Sequence, residues 1–279
     1  VPGPRAIFAL GLTAIGIVYA ATIDIGLHVR DLSVLSRLPT VSAESALRVK
    51  PAWVAPSSAS IPSGPHGDSI RRGRLLFNET PLYATHNASA KLSCANCHAE
   101  GGIQPFASPV VGVPATFPQF NQRAGHVISL EDRIQECFVR SENGKPLDYK
   151  GADMKALVDY IDWLSTPEPS RKKYIGRGLV NIPDLTPDPA HGEKIYTAQC
   201  AGCHGVNGEG RPHFFPPLWG PDSFNDGAGM HGTRKMAAFV QHNMPQNRMG
   251  ILSAQDAWDV SAYIHTQPRP AFNTAYKNF

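Results

Sequence analysis

Two stretches of this chain carry the same helical spacing. In Met154-Lys-Ala-Leu-Val-Asp-Tyr-Ile-Asp-Trp-Leu164 and Gln255-Asp-Ala-Trp-Asp-Val-Ser-Ala-Tyr-Ile264, apolar residues recur every three or four positions, and a proline follows each, Pro167 and Pro268. The spacing predicts two amphipathic helices, each stopped by a residue that cannot continue it. Shorter runs of the same kind, Ser69-Ile-Arg-Arg-Gly-Arg-Leu-Leu-Phe77 and Pro189-Ala-His-Gly-Glu-Lys-Ile-Tyr196, stand upstream of them. Ser129-Leu-Glu-Asp132 reads as a capping box and Asn143-Gly144 as a helix stop, so a further helix of about three and a half turns is expected between them. No alternating run is long enough for a sheet of any size, and the expected class is mainly α.

The beginning of the chain has another pattern. Ala6 to Ile23 is 18 residues without a charge, which as a helix spans roughly 27 Å, close to the hydrocarbon thickness of a bilayer. We expect residues 1–30 to form a transmembrane signal anchor, crossing the membrane through 6–29. The competing reading is a cleaved signal peptide with a site at Ala20 and Ala21. Prolines and serines dominate the following stretch, with Pro51, Pro56, Ser57, Ser58, Ser60, Pro62, Ser63 and Pro65; residues 31–65 are expected to be a tether.

Composition narrows the choice. With 42% hydrophobic residues in 279 the chain has material for a real core, which excludes disorder for most of its length. Its 25 glycines and 25 prolines exclude a coiled coil or an all-helical membrane bundle. A net charge of +3 is too small to point to nucleic acid as a partner. Five cysteines leave one over under any pairing.

Four of them occur as Cys94-Ala-Asn-Cys97-His98 and Cys200-Ala-Gly-Cys203-His204, the attachment pattern for c-type haem. Thiols three positions apart reach the two vinyl groups of one haem edge, and the following histidine supplies the proximal ligand. Each motif lies between a leading and a closing helix: 65 residues separate His98 from Trp163, and 59 separate His204 from Tyr263. The expected architecture is therefore two tandem class I cytochrome c-like domains, 66–170 and 188–279, joined by a linker at 171–187, with two covalently bound haem c. Covalent haem is attached outside the cytoplasm in bacteria, so the expected location is the periplasmic face of the inner membrane.

The sixth ligands differ. Asn243-Met244-Pro245, 40 residues past His204, has the position and Met-Pro pairing of the usual distal ligand; Met249, Met236, Met230 and His242 are nearby alternatives. Between His98 and the closing helix there is no methionine before Met154. The interval holds Cys137 instead. At ~100° per residue, Arg133, Cys137 and Ser141 fall within roughly 80° of one another on the predicted helix, with Arg140 beside them. One reading makes Cys137 a small buried residue and pairs the arginines with Glu131, Glu136 and Glu142. The favoured reading makes Cys137 the missing iron ligand, its thiol acidified by the neighbouring cations.

Taken together, Arg123, Arg133, Cys137-Phe-Val-Arg-Ser141-x-Asn-Gly144 and the two haem motifs resemble the dihaem thiosulfate dehydrogenases, some of which act as tetrathionate reductases. The resemblance spans about residues 66–279 and includes Pro216-Pro-Leu-Trp-Gly220, Asp222-Ser-Phe-Asn225 and Gly227-Ala-Gly-Met230. It implies His98 and Cys137 as ligands of an active-site haem, and Arg123, Arg133 and Ser141 as groups that hold substrate. It also implies His204 and Met244 as ligands of an electron-transfer haem. Some members place a lysine beside that methionine where this chain has Asn243, and many lack an anchor. The implied activity couples two thiosulfate ions to tetrathionate, or the reverse, with a cytochrome or a membrane redox complex as electron partner. The alternative from composition and anchor is a dihaem electron-carrier subunit of a respiratory or photosynthetic complex.

Overall fold

A missing side chain lets each pair of leading and closing helices cross. The computed structural model describes residues 54–166, 174 and 176–278. Its main elements are α1 (Pro65–Asn78), β1 (Gln119–Asn121), β2 (His126–Ile128), α2 (Leu130–Arg140), α3 (Ala152–Leu164), α4 (Pro189–Ile195), α5 (Thr233–Asn243) and α6 (Ala254–Thr266). Where α1 meets α3, a Cβ on Gly73 would lie 1.9 Å from the Ala156 carbonyl oxygen; where α4 meets α6, one on Gly192 would lie 2.0 Å from that of Asp259. Only glycine admits backbones this close. Four residues on, one helical turn away, stand the buried aromatics Phe77 and Tyr196. Phe77 packs on Tyr160 of α3 with ring centroids 5.4 Å apart, and Tyr196 on Tyr263 of α6 at 5.6 Å. The internal repeat thus extends from motif spacing to the side chains of the helix crossings.

Each crossing organises a core. Ile70, Leu76, Phe138, Leu157 and Ile161 fill the first; Tyr196, Trp219, Met236, Trp258 and Val260 fill the second. Ala90 and Leu92, just ahead of the first haem motif, are buried in the second core rather than the first. The Lys91 N–H between them donates to the Asp222 carbonyl at 2.8 Å. A segment of one half is therefore packed into the other.

Among the described residues, sheet is confined to β1 and β2, an antiparallel pair with Phe120 opposite Val127. Arg123 lies in its turn, where its N–H donates to Asn121 Oδ1 at 2.9 Å. The helix expected from the capping box is α2: Ser129 Oγ accepts from the Asp132 N–H, and Asp132 Oδ2 accepts from the Ser129 N–H. Ile61, within the stretch read as a tether, is buried in the first core. The expected anchor, the tether through residue 53, residues 167–170 of the expected first domain and residues 171–173 and 175 of the expected linker lie outside the described residues. No helix among the described residues is long and apolar enough to cross a membrane.

The crossings make a direct prediction. Gly73→Ala and Gly192→Ala should each force the helices apart and destabilise the protein by about 1–3 kcal/mol, the usual range for overpacking. Denaturant titration of the haem-loaded protein measures this, and an unchanged midpoint would contradict the close approach.

Candidate functional site

The two motif histidines are prepared in the same way. His98 Nδ1 lies 2.6 Å from the Ser108 carbonyl oxygen, and His204 Nδ1 lies 2.9 Å from that of Pro216. A carbonyl only accepts, so each Nδ1 carries the proton and each Nε2 keeps a lone pair for a metal. Burial holds the His204 imidazole below its ordinary pKa, with the Pro216 carbonyl pulling the other way. Cys94, Cys97, Cys200 and Cys203 form no disulfide.

A small cavity of about 30 Å³ adjoins the first motif. Cys94, Cys97 and His98 contribute to its lining, Cys137, Ser141 and Glu142 enter from α2 and its C-terminal end, and Phe224 and Met230 come from the second half. The thiols and imidazole expected to hold the first haem thus share one cavity with the fifth cysteine and the hydroxyl of Ser141. This donor set suits a covalently attached haem with a sulfur on its far side.

Why Cys137 faces this cavity follows from the ends of α2. The capping box fixes its start. At its end the carbonyls of Val139 and Arg140 have no partner within the helix, and Asn225 takes both: its Nδ2 donates to Val139 O at 2.9 Å and its backbone N–H to Arg140 O at 3.1 Å. The same Nδ2 donates to Asn143 Oδ1 at 3.0 Å. Asn225 is 1% exposed, so the bonds are shielded from competing water.

The acidification expected of Cys137 is corrected by this setting. Burial pushes the thiol up; Arg133 pulls it down, Glu142 and Glu136 push it up again, and Arg123 pulls it down, with a net rise. The cations are present, but desolvation of the charged form and two nearby carboxyl groups outweigh them. Glu142 itself is buried, and burial drives its carboxyl well above the ordinary range.

Among the three glutamates offered as partners for the arginines, Glu136 takes the role. Arg133 Nη1 lies 3.3 Å from Glu136 Oε2, and Arg123 Nη1 and Arg140 Nε each lie 4.0 Å from Oε1. Asn121 Nδ2 donates to Oε2 at 3.0 Å. Arg123 and Arg133 remain partly exposed, at 41% and 43% of their side chains. Arg140 is buried and lies over the Phe272 ring at 4.1 Å, so it serves as a packed cation behind the other two. Glu142, whose side chain lines the cavity, leaves Oε2 without a hydrogen-bond partner.

At the second motif, Met244 caps the C-terminus of α5, its N–H donating to Val240 O at 3.0 Å, and its side chain packs against the second core. Of the alternatives, Met236 is buried in that core and Met249 is 51% exposed. His242 lies edge-on to Phe106 at 4.9 Å. Met230 belongs to the wall of the first cavity, although it is far closer in sequence to the second motif. Asn243, beside Met244, donates to Phe106 O at 3.1 Å and so ties this loop to the first half.

Comparison with known proteins finds two cytochrome c domains in the chain. Residues 79–169 match the family model described as SoxA/TsdA, cytochrome c domain, and residues 189–268 match that of cytochrome c. The chain is 42% identical to a thiosulfate dehydrogenase of Allochromatium vinosum over 79% of its own length and 86% of the relative's. It is 36% identical to one from Psychrobacter arcticus, covering 79% of this chain and 69% of that protein. The solved structure of TsdBA, a thiosulfate dehydrogenase from Marichromatium purpuratum in its as-isolated form, superposes with a TM-score of 0.74 at 34% identity. That match covers 84% of this chain and about half, 52%, of the other.

Asn225→Ala should strand the Val139 carbonyl in the interior and free the end of α2. A loss of about 2 kcal/mol is expected for a buried acceptor left without a partner, read as a lower denaturation midpoint. A broadened spectrum of the first haem should accompany it, and a variant with both unchanged would refute the trans-capping role.

Proposed function

The chain belongs to the thiosulfate dehydrogenase family, and from that premise we propose that it joins two thiosulfate ions into tetrathionate, with Cys137 and the flanking arginines as the reacting and binding groups. It is an oxidoreductase with two cytochrome c domains. The observation that carries the finer reading is the meeting of Cys94, Cys97, His98, Cys137 and Ser141 in one cavity.

Two thiosulfates carry four negative charges between them, and tetrathionate carries two; forming the bond between their outer sulfurs releases two electrons. Two haems, when bound, would supply the one-electron acceptors this needs. His98 and Cys137 would hold the first, and His204 and Met244 the second, with electrons moving from the His/Cys haem to the His/Met haem. A thiolate donor favours the ferric state and a thioether the ferrous state, so the first should have the lower potential.

The remaining work falls to the chain. Bringing two dianions together requires fixed cations, and the guanidinium forks of Arg123 and Arg133 suit the planar array of sulfonate oxygens better than the point charge of a lysine. Ser141 offers a hydroxyl from the same cavity wall. Cys137, as the thiolate, would form a sulfur–sulfur bond with the outer sulfur of the first thiosulfate, the two electrons released passing to the bound one-electron acceptors. The second thiosulfate then attacks that outer sulfur, tetrathionate leaves, and the Cys137 thiolate is restored. Reverse turnover uses the same groups with electrons supplied.

We further propose that the protein works on the periplasmic side of the inner membrane and passes electrons to a cytochrome or membrane redox complex. The uncharged segment 6–23 and the site of haem attachment support this.

Thiosulfate added to the isolated haem-loaded protein should reduce its α-bands promptly; reduction only in the presence of a partner complex would instead support an electron-carrier role. Cys137→Ala should abolish turnover and change the spectrum of the first haem alone. Arg133→Lys should raise KM for thiosulfate roughly tenfold, the equivalent of about 1.4 kcal/mol of lost bidentate contact. A Cys137→Ala enzyme with full turnover would overturn the assignment.

A further inference from the structure

Behind the wall that the second half supplies to the first cavity lies a group of unsatisfied donors. The Arg269 guanidinium stacks on the Phe224 ring at 4.3 Å, and Phe224 lines the cavity. Arg269 Nη2 donates to Ile264 O at 3.1 Å, but its Nε and Nη1 are buried without a hydrogen-bond partner. Beside it His231 Nδ1 is also buried and unpartnered, and the neighbouring residue, Met230, lines the same cavity.

The surroundings do not supply the missing acceptor. His265 lies edge-on to His231 at 5.0 Å, but both its nitrogens are engaged, Nδ1 with Thr233 Oγ1 at 3.1 Å and Nε2 with Met230 O at 3.0 Å. Asp226 is the nearby carboxylate that favours the charged guanidinium, yet its Oδ1 accepts from the Phe272 N–H at 2.7 Å and it makes no hydrogen bond to Arg269. Burial brings the Arg269 pKa down to about 10, the mark of a cation whose lost hydration is not replaced.

A carboxylate could accept from one of these orphaned Arg269 N–H groups and offer its other oxygen to His231 Nδ1. The cavity calls for such a group. A c-type haem carries two propionates on the edge away from its thioethers, and none of the residues lining this cavity is Arg or Lys. Glu142, the ionisable side chain on its wall besides the Cys and His donors, brings no positive charge to meet a carboxylate.

Resting on the assignment of a haem to this cavity, the geometry points to Arg269 and His231 as the binding site for a propionate of the first haem, a lock supplied by the second half for the cofactor attached to the first. Binding across the halves would fix the first haem relative to the second and counter the negative charge of its edge. Arg269 and His231 are positioning residues in this scheme, since neither touches the reacting sulfurs.

The test uses the haem-loaded full chain and reads each haem's midpoint potential separately, with the propionate bending mode in resonance Raman as a second readout. Loss of a nearby cation stabilises the ferric state, so Arg269→Met should lower the potential of the first haem and shift its propionate mode, leaving the second haem unmoved; Arg269→Lys should restore most of the potential. His231→Leu should shift the same mode and lower the same potential by less, and it carries the test if Arg269→Met fails to load haem. An unmoved first haem, a shift confined to the second, or a change in KM alone would overturn the proposal. Its failure is separable from that of the catalytic reading: loss of the thiolate signature on Cys137→Ala tests the latter, whereas the propionate mode does not depend on the axial sulfur.

Discussion

The last carbonyls of a helix cannot be left bare inside a protein, and at the end of α2 that rule binds the two halves of the chain together. Val139 O and Arg140 O have no partner within the helix, and Asn225, from the other half, supplies one for each. Cys137 sits one turn before this joint, so its aim into the cavity depends on a residue nearly ninety positions away in sequence. Leu92 runs the other way, from just before the first haem motif into the second core. A cavity that belongs by sequence to the first domain is thus shaped by both.

This dependence changes how the repeat should be understood. Both halves keep the same frame, with a glycine where the helices cross and an aromatic ring one turn later, at Gly73 and Phe77 and again at Gly192 and Tyr196. Both keep a proximal imidazole whose Nδ1 is engaged by a backbone carbonyl. They part in what lies between the motif and the closing helix. The second half has Met244 at the end of α5; the first has a hairpin and α2, with Arg123 on one and Arg133, Cys137 and Arg140 on the other. A shared frame tolerates this because the helix crossing and the proximal bond lie elsewhere. Chemistry could therefore diverge on one face without disturbing the packing.

The parts of this arrangement that were legible in the sequence are local in origin. Helix periods, the Ser129 capping box and the spacing within each haem motif involve residues a few positions apart, and the structure places α2, α3 and α6 where those patterns put them. Other features depend on contacts that no local pattern records. Asn225 stood in a recognisable motif, but nothing in Asp222-Ser-Phe-Asn225 says that it caps a helix in the other half. Met230 is 26 residues past His204 and 132 past His98, yet it lines the cavity of the latter. The net rise in the Cys137 pKa was hidden for the same reason: cations one turn away are visible in a helical projection, while burial and the inward turn of Glu142 are not.

The electrostatics of the cleft follow from the same asymmetry between local and long-range contacts. Three guanidiniums drawn together by the fold would repel one another, and a single buried carboxylate, Glu136, lies within 4.0 Å of all three. One negative charge against three positive ones leaves an excess suited to dianions, while lowering the cost of gathering the cations. Arg140 is packed under Phe272 and Arg123 is pinned by the Gly227 carbonyl at 3.3 Å, so the forks are set before any anion arrives. Preorganised charge of this kind contributes most when the groups do not have to reorient for the reaction. The sulfur among them is subject to the opposite influence: burial resists its ionisation, and the coordination expected with a metal favours it. Burial thus holds the uncoordinated sulfur as a thiol.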